Sequence, residues 1–384
     1  MTEPEIAKLY SQAVTLVPDE IFVWPRTAPE PKLELERCLP LAELEALLPE
    51  LRKVQVLGIY PGHTDAVASL ERFTALAIPP SPPRNHEWMG PEFLLSGDRR
   101  TLAICVVPGR DSVLHYATLM RCFLDRSPRA RTTTLEARFY PAAAAALPAW
   151  TGLADLALPP DSLVLLGEID EFLGAAKSSS WVALSPIRFN RHFDLCRLSM
   201  SSLRNGGHPI YLLGFSFPLW GEMAALVARA LYGAGAGELI YLGETGALDP
   251  TLVLGEDLVV PESFLLADQG RIVRRPFRVP NPLLDWTRST GQPVTADVRH
   301  LSVPTTLETW SLPARLSRPA PRTVDHKVAH LASAAAQAGG GARFSALLVP
   351  GGYRGRDPGP VQTHDRGEVS TVATRLLLSY FSRG

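Results

Sequence analysis

Residues 239–260, LIYLGETGALDPTLVLGEDLVV, constrain the fold more than any other segment of this chain. The segment opens with an apolar run that ends at Gly243, and a Gly-x-x-Gly spacing with Gly246 brackets Glu244 and Thr245. An apolar run followed by glycine is typical of a buried strand that ends in a turn. The sequence therefore predicts a strand, a turn and a second strand, with the turn at the sheet edge where open α/β sheets bind ligands.

The same alternation of apolar runs and helical spacing continues through the second half of the chain. Strands are predicted at residues 162–166, 210–213 and 344–349, and helices around 169–176, 220–232, 325–338 and 369–381. This order predicts the α/β class, with a mixed sheet flanked by helices and an additional N-terminal α/β domain. Proline-rich segments near residue 155 place the boundary between domains 1–154 and 155–384.

Bulk composition excludes several classes of function. The formal net charge is −1, so there is no basic footprint for nucleic acid, and no apolar run is long enough for a membrane span. Four cysteines without paired spacing and an N-terminus without a signal peptide indicate a cytoplasmic protein. No dinucleotide fingerprint or phosphate-binding loop occurs, so no cofactor and no metal are predicted.

Five segments in the second half resemble, in order and spacing, the nucleoside phosphorylase and nucleosidase superfamily. The resemblance covers about 60% of the chain and implies a sheet that presents a phosphate or a sugar site at its edge. The matching segments are SLVLLGEIDEFLGAA (162–176), YLLGFSFPLWGEMAALVARAL (211–231), LIYLGETGALDPTLVLGEDLVVP (239–261), VPTTLET (303–309), which resembles a strand lining the base site, and TVDHKVAHLASAAA (323–336).

The resemblance also implies that the phosphate site is changed. Family members carry an Arg near Glu171 and a second Arg at the position of Tyr241, and a hydroxyl where this chain has Glu244 beside Thr245. A carboxylate near a phosphate costs free energy where an Arg would contribute it. Gly214 is followed by Phe215 and, two residues on, by Phe217, so aromatic side chains replace the bare backbone of the family's second loop.

The sugar and base positions differ as well. Members with activity use a Met-Glu pair for the ribose hydroxyls, and this chain has His326 and Lys327 there; Lys has no acceptor. Pro350 and Gly351 fall where the family has Ser-Asp for protonation of the leaving base. These changes oppose catalysis and favour a ligand-binding site made of Glu171, Phe215, Phe217, Tyr241, Glu244, Thr245, His326 and Lys327.

Each of these residues also has a plainer interpretation. Glu171 and Glu244 either converge on an amine-bearing ligand or face water. Tyr241, at the end of a strand, is more typical of a packing residue. His326 and His330 have the i, i+4 spacing that metals use, but the pair is more typical of one histidine near the helix cap and one that packs in the core. Asp325 is typical of a helix N-cap. The run RIVRRPFRVP (271–280) is either an exposed edge strand or a contact for an acidic segment of a partner.

The sequence leads to a hypothesis and its alternatives. The first is a non-catalytic protein that binds a peptide or other precursor in bacterial natural-product biosynthesis; the chain is also similar to peptide-binding accessory proteins of crocagin-type ribosomal-peptide pathways. The main alternative is a divergent nucleosidase in which Asp170 or Glu171 activates water. A third is a structural subunit of a partner biosynthetic enzyme. The resemblance also implies a homo-oligomer.

Overall fold

The computed structural model describes most of the 384 residues, and these form two compact units. The first contains residues 1–150 and 217–223, and the second residues 151–216 and 224–384. The residues described are 8, 11–23, 35–36, 38–59, 68, 72–76, 91–130, 132–139, 147–177, 182–190, 192–200, 208–268, 271–305, 307, 320–353 and 366–382.

The first unit is built on a six-stranded sheet. Its strands are β1 (Val14–Thr15), β2 (Lys53–Gly58), β3 (Phe73–Ala75), β4 (Glu92–Ser96), β5 (Thr101–Val106) and β6 (Thr134–Phe139), in the order β1-β6-β2-β5-β4-β3. The central strand β2 runs parallel to β5 and β6, and the outer strands are antiparallel to their neighbours. Helices α1 (Leu41–Leu47) and α2 (Arg110–Arg126) complete the unit, and α2 is the crossover that parallel pairing of β5 and β6 on either side of β2 requires.

The second unit is built on a ten-stranded sheet. Its order is β13-β12-β14-β15-β11-β7-β10-β9-β8, and β16 pairs with β11 and β12. The strands are β7 (Ser162–Gly167), β8 (Val182–Phe189), β9 (Phe193–Met200), β10 (Ile210–Phe215), β11 (Ala236–Ala247), β12 (Val259–Asp268), β13 (Arg271–Phe277), β14 (Thr295–Ser302), β15 (Thr323–Asp325) and β16 (Arg343–Tyr353).

Helices pack against this sheet through alternate residues of its strands. They are α3 (Ile169–Lys177), α4 (Glu222–Gly233), α5 (Pro282–Thr290), α6 (Val328–Ala338) and α7 (Arg366–Phe381). Ile240 and Leu242 of β11 belong to a core that includes residues of α3, α5 and α7. Because side chains alternate across a strand, Tyr241 and Thr245 point to the other face.

The α/β class with a mixed sheet, flanking helices and an additional N-terminal α/β unit is confirmed. The strands β7, β10, β11 and β16 run parallel to one another where they pair. Each apolar run predicted as a strand lies within one of them.

Three local predictions were wrong. Gly243 and Gly246 do not form a turn, because β11 continues to Ala247 and pairs with β16 throughout, with a register shift between Thr245 and Gly246. The predicted strand at 303–309 is absent among the residues described there, since β14 ends at Ser302 and Pro304 has no N–H to donate. The helix predicted from residue 325 begins at Val328, and Asp325 ends β15 instead.

Strands β8 and β9 form an antiparallel hairpin that the sequence did not predict. Among the described residues, no helix is both long enough and apolar enough to cross a membrane.

Candidate functional site

The C-terminal ends of β7, β10 and β11 meet at one edge of the second unit's sheet. β7 pairs in parallel with both β10 and β11, so the residues that follow Gly167, Leu213 and Leu242 lie next to one another. This is the edge at which open α/β sheets bind ligands. It gathers several of the residues singled out from the sequence.

Tyr241 explains the first glycine of the Gly-x-x-Gly spacing. The buried Tyr241 ring lies along β11 over Gly243, and a Cβ at residue 243 would clash with the hydroxyl and lie 2.8 Å from ring atoms Cε1 and Cζ. The same ring approaches Gly167, where a Cβ would lie 2.9 Å from Cε2. Gly243 is therefore required by the packing of an aromatic side chain on its own strand.

Lys327 covers the Tyr241 ring. Its Nζ lies 5.3 Å from the centroid of that ring, within the range of a cation–π contact. Burial by itself would lower the pKa of Lys327, but Tyr241, Asp325 and Glu168 hold it above its ordinary value. Burial raises the pKa of Tyr241 to about 12, and Lys327 offsets only part of this effect. At neutral pH the amine is charged and the phenol is protonated, so neither is a nucleophile.

Glu168 extends the hydrogen-bonding ladder beyond the end of β7. Its backbone N–H donates to the Leu242 carbonyl at 2.8 Å, and its Oε1 accepts the backbone N–H of Glu244 at 3.1 Å. The Glu244 N–H, between Gly243 and Gly246, is therefore already hydrogen-bonded to a carboxylate of the same chain. The sequence interpretation favoured Glu171 and overlooked Glu168, although an acid directly after a strand-ending glycine was a usable signal.

Thr245 is also engaged within the fold. Its buried hydroxyl donates to the Val324 carbonyl at 3.0 Å, across to β15. The hydroxyl that the sequence suggested as a ligand donor therefore holds two strands together.

The Glu244 side chain leaves β11 on the face opposite Tyr241 and lies over Gly351 of β16. A Cβ at residue 351 would be 3.2 Å from the Glu244 Cδ and Oε2 atoms. Gly351 is the additional residue at the register shift between β11 and β16, opposite Thr245 and Gly246. The carboxylate occupies space that any larger residue at 351 would fill.

A buried polar network that the sequence did not predict fixes the start of α6. Asp325 Oδ1 lies 2.9 Å from His300 Nε2 and accepts the Ser302 hydroxyl at 2.7 Å. The same carboxylate accepts the N–H of Lys327 at 2.9 Å and that of Val328 at 3.1 Å, which is the capping role expected of Asp325.

Further bonds complete this network. His300 Nδ1 is 3.0 Å from Thr323 Oγ1, and Ser302 Oγ accepts the Ala329 N–H at 2.9 Å. Burial by itself would raise the pKa of the Asp325 carboxyl, but His300 and Lys327 hold it well below its ordinary value. His300 and Ser302 stand at alternate positions of β14 and so share one face of it, but Thr295, Asp297 and Arg299 make the whole strand polar, and its sequence does not mark the network.

The structure places the remaining predicted residues differently. His326 is half-buried, with Nδ1 3.2 Å from the Val303 carbonyl oxygen. Phe215 ends β10 and packs at 6.3 Å from the Phe193 ring. Phe217 is buried and belongs to the first unit, where its ring centroid lies 5.8 Å from that of Trp150.

The two acids proposed to activate water lie at the start of α3. Asp170 is exposed, and the pKa of Asp194 on β9 is raised, first by partial burial and then by the charge of Asp170. Glu171 belongs to α3, but its side chain lies outside the described part of the structure. Convergence of Glu171 with Glu244 therefore stays a prediction.

A search of protein-family models finds no match to the chain. Among curated proteins, the chain is similar to a protein named oxidoreductase cns1 from Cordyceps militaris, with 24% identity over 196 residues. The matched part is 48% of this chain and 24% of that protein, so the chain spans about a quarter of its length.

The solved structures similar to this chain are nucleoside phosphorylases and nucleosidases. A purine nucleoside phosphorylase from Toxoplasma gondii aligns at 16% identity and a TM-score of 0.42 over 58% of this chain and 90% of its own. A methylthioadenosine/S-adenosylhomocysteine nucleosidase from Colwellia psychrerythraea aligns at 15% identity and a TM-score of 0.45, over 59% of this chain and 96% of its own. A uridine phosphorylase from Phytophthora capsici aligns at 12% identity and a TM-score of 0.45, over 60% of this chain and 92% of its own.

Proposed function

We propose that this chain is a non-catalytic ligand-binding protein whose site lies at the C-terminal edge of the second unit's sheet. The observation that carries the proposal is the hydrogen bond from the Glu244 N–H to the Glu168 carboxylate. In the family that the sequence resembles, the same segment holds a phosphate. Here a carboxylate already accepts its backbone donor, which supports loss of anion binding.

Electrostatics supports the same conclusion. Two like charges about 4 Å apart repel by about 4 kcal/mol at the effective dielectric of a partly buried site. A phosphate at the Glu244 N–H would have to displace the Glu168 carboxylate and remain beside it. Lys327 does not compensate, because its ammonium already interacts with the Asp325 and Glu168 carboxylates.

The sugar side of the site is also unsuited to a nucleoside. The Lys327 ammonium has donors only, and it lies on the Tyr241 ring, so it cannot accept hydrogen bonds from ribose hydroxyls. The donor-only ammonium therefore supports a ligand other than a nucleoside.

The ligand class that we propose is a peptide or another amine-bearing precursor in bacterial natural-product biosynthesis. The half-buried Glu244 carboxylate suits an ammonium group, and the Phe215 ring suits an apolar side chain. A cytoplasmic homo-oligomer, acting with a partner biosynthetic enzyme, fits this role.

Calorimetry with short peptides tests the proposal. Peptides with a free N-terminus, such as Phe-Arg-Phe, are compared with their N-acetylated forms, with inorganic phosphate as a third titrant. We expect binding of the free peptide that weakens at least about tenfold on acetylation or in the Glu244→Gln variant, as for loss of a charge-assisted hydrogen bond. Phosphate binding, or phosphorolysis of inosine or uridine, would refute it.

The alternative is a divergent nucleosidase, and one observation favours it. The Glu244 carboxylate lies over Gly351, the position at which the resembling enzymes carry the Asp that protonates the leaving base. Under this alternative Glu244 supplies that carboxylate from the neighbouring strand, and Asp170 or Glu171 activates water. Release of a base from a nucleoside panel, lost in both Glu171→Gln and Glu244→Gln, would establish the nucleosidase; no release alongside peptide binding favours the binder.

A further inference from the structure

Strand β13 is the outermost strand of the ten-stranded sheet and carries a local concentration of positive charge. Residues 271–278 contain four arginines and no acid, in a chain whose formal net charge is −1. We define the arginine edge as Arg271, Ile272, Val273 and Arg275.

The four arginines are not equivalent. Arg274 donates to the Ser333 hydroxyl and lies 3.9 Å from the Phe277 ring centroid, so it is committed to the fold. Arg278 pairs with Glu262 at 2.9 Å. Arg271 and Arg275 are exposed, and their side chains form no hydrogen bond or ion pair with any residue in the described part of the chain.

The apolar side chains that stand between Arg271 and Arg275 in the sequence are also exposed. Val273 is 64% exposed and Ile272 is 39% exposed. Charges on an edge strand usually protect it from aggregation, and they do so best without exposed apolar neighbours. The combination of free arginines and exposed aliphatic groups is instead typical of a contact surface.

The backbone of β13 limits how a partner can approach. Its pairing with β12 shifts register between Phe264 and Leu266 and again between Leu266 and Ala267, and Pro276 has no N–H. Continuous strand addition is therefore disfavoured, and recognition rests on side chains.

Charge selects among the candidate partners. A second copy of β13 would place arginines against arginines, which is destabilising. Nucleic acid gains nothing from Val273 and Ile272, and the formal net charge of −1 gives the chain no wider basic surface for phosphates. A segment that alternates carboxylates with aliphatic residues matches both features of the surface.

We propose that the arginine edge docks an acidic, extended segment of a partner protein. Carboxylates of the segment pair with Arg271 and Arg275, where planar guanidinium groups form bidentate, charge-assisted hydrogen bonds. An aliphatic residue between them packs on Val273. This surface is separate from the proposed ligand site, and its test does not depend on that site.

The test is fluorescence anisotropy with a labelled peptide of about eight residues in which Glu and Val alternate. We expect saturable binding that weakens with added salt, and a loss of at least about tenfold in affinity in Arg271→Glu/Arg275→Glu. The double variant should instead bind the matching peptide in which Lys replaces Glu. Val273→Ser should weaken binding of the Glu-Val peptide with no change in its salt dependence.

The control variant is Arg197→Glu, a charge reversal at an exposed arginine of β9 in the same unit. It should bind the acidic peptide like the unmodified protein. Each of three results would overturn the proposal. They are equal binding of the acidic peptide by the double variant, tighter binding of an oligothymidylate of similar length, and concentration-dependent self-association that depends on the same residues.

Discussion

At the residue scale, the packing of Tyr241 explains why residue 243 of the Gly-x-x-Gly spacing is a glycine. The Gly-x-x-Gly spacing looks like a loop made for a phosphate, but Gly243 is small because the Tyr241 ring lies over it. The Lys327 ammonium lies 5.3 Å from the centroid of the same ring. The plainer interpretation of Tyr241, packing, agrees with its burial, and the ammonium gives that packing an electrostatic component.

The packing of Tyr241 predicts the cost of a side chain at residue 243. Gly243→Ala should lower the free energy of unfolding by about 1–3 kcal/mol, because the new Cβ overpacks the ring. Adding Tyr241→Phe to the Gly243→Ala variant should restore only part of the lost stability, since ring carbons also lie 2.8 Å from the Cβ position. Urea unfolding measures both changes. The matched control is Gly214→Ala in β10, where a Cβ meets no atom within 4 Å, and an equal loss there would contradict this explanation.

The Asp325 network predicts a pH-dependent stability difference. The folded-state pKa of Asp325 lies below the unfolded value of about 4, so the ionised carboxylate stabilises the fold above that pH, and this contribution is lost as the pH falls. Asp325→Asn should destabilise the protein by about 2–4 kcal/mol at pH 7. The difference between the two proteins should narrow below about pH 4. Urea unfolding at several pH values tests this, and a constant difference would count against it.

At the element scale, the sequence predicted the strands well and their ends poorly. Apolar runs located β7, β10, β11 and β16 because buried parallel strands are apolar on both faces. The end of β11 was missed because glycine is normally read as a strand terminator, whereas here pairing with β16 continues the strand. The β8–β9 hairpin was missed because its strands carry polar and exposed residues that give no continuous apolar signal.

The candidate site was only partly predictable for a related reason. Tyr241, Glu244 and Thr245 stand out from the motif itself, and Lys327 was singled out from the resemblance of the segment 323–336; in the structure Lys327 lies beside the Tyr241 ring. Glu168 contacts a residue 76 positions away and His300 one 25 positions away, so their roles depend on strand order. No local pattern contains that information.

One anchor between elements can be tested directly. The Tyr380 hydroxyl of α7 donates to the buried Glu238 carboxylate of β11 at 2.6 Å, while Arg343 lies 3.6 Å from the same carboxylate. Tyr380→Phe should cost about 1–3 kcal/mol, measured by urea unfolding, because a buried charge loses a strong donor. Tyr232→Phe is the control: its hydroxyl donates to a partly buried carbonyl of Arg343, and the loss there should be smaller.

At the scale of the whole molecule, the four cysteines divide into a buried pair and a partly exposed pair. Cys105 and Cys122 are buried in the first unit, and burial raises the pKa of the Cys105 thiol far above its ordinary value. Cys38 of the first unit and Cys196 of the second are partly exposed; burial and then Asp194 raise the pKa of Cys196.

Thiol reactivity therefore reports on the integrity of the fold. With Ellman's reagent at pH 8, Cys38 should react first and Cys196 more slowly, because only thiolates react and its pKa is raised. Cys105 and Cys122 should react only after denaturant is added. Removal of the slower native phase in Cys196→Ser would confirm the assignment, and rapid reaction of four thiols without denaturant would contradict the described core.

The Glu168 bond to the Glu244 N–H has a consequence for protein engineering. Placing an arginine at residue 241 alone would leave the Glu168 carboxylate on the Glu244 N–H and would remove the ring beside which the Lys327 ammonium lies. A designer who wants an oxyanion receptor here must alter positions 168, 241 and 327 in concert.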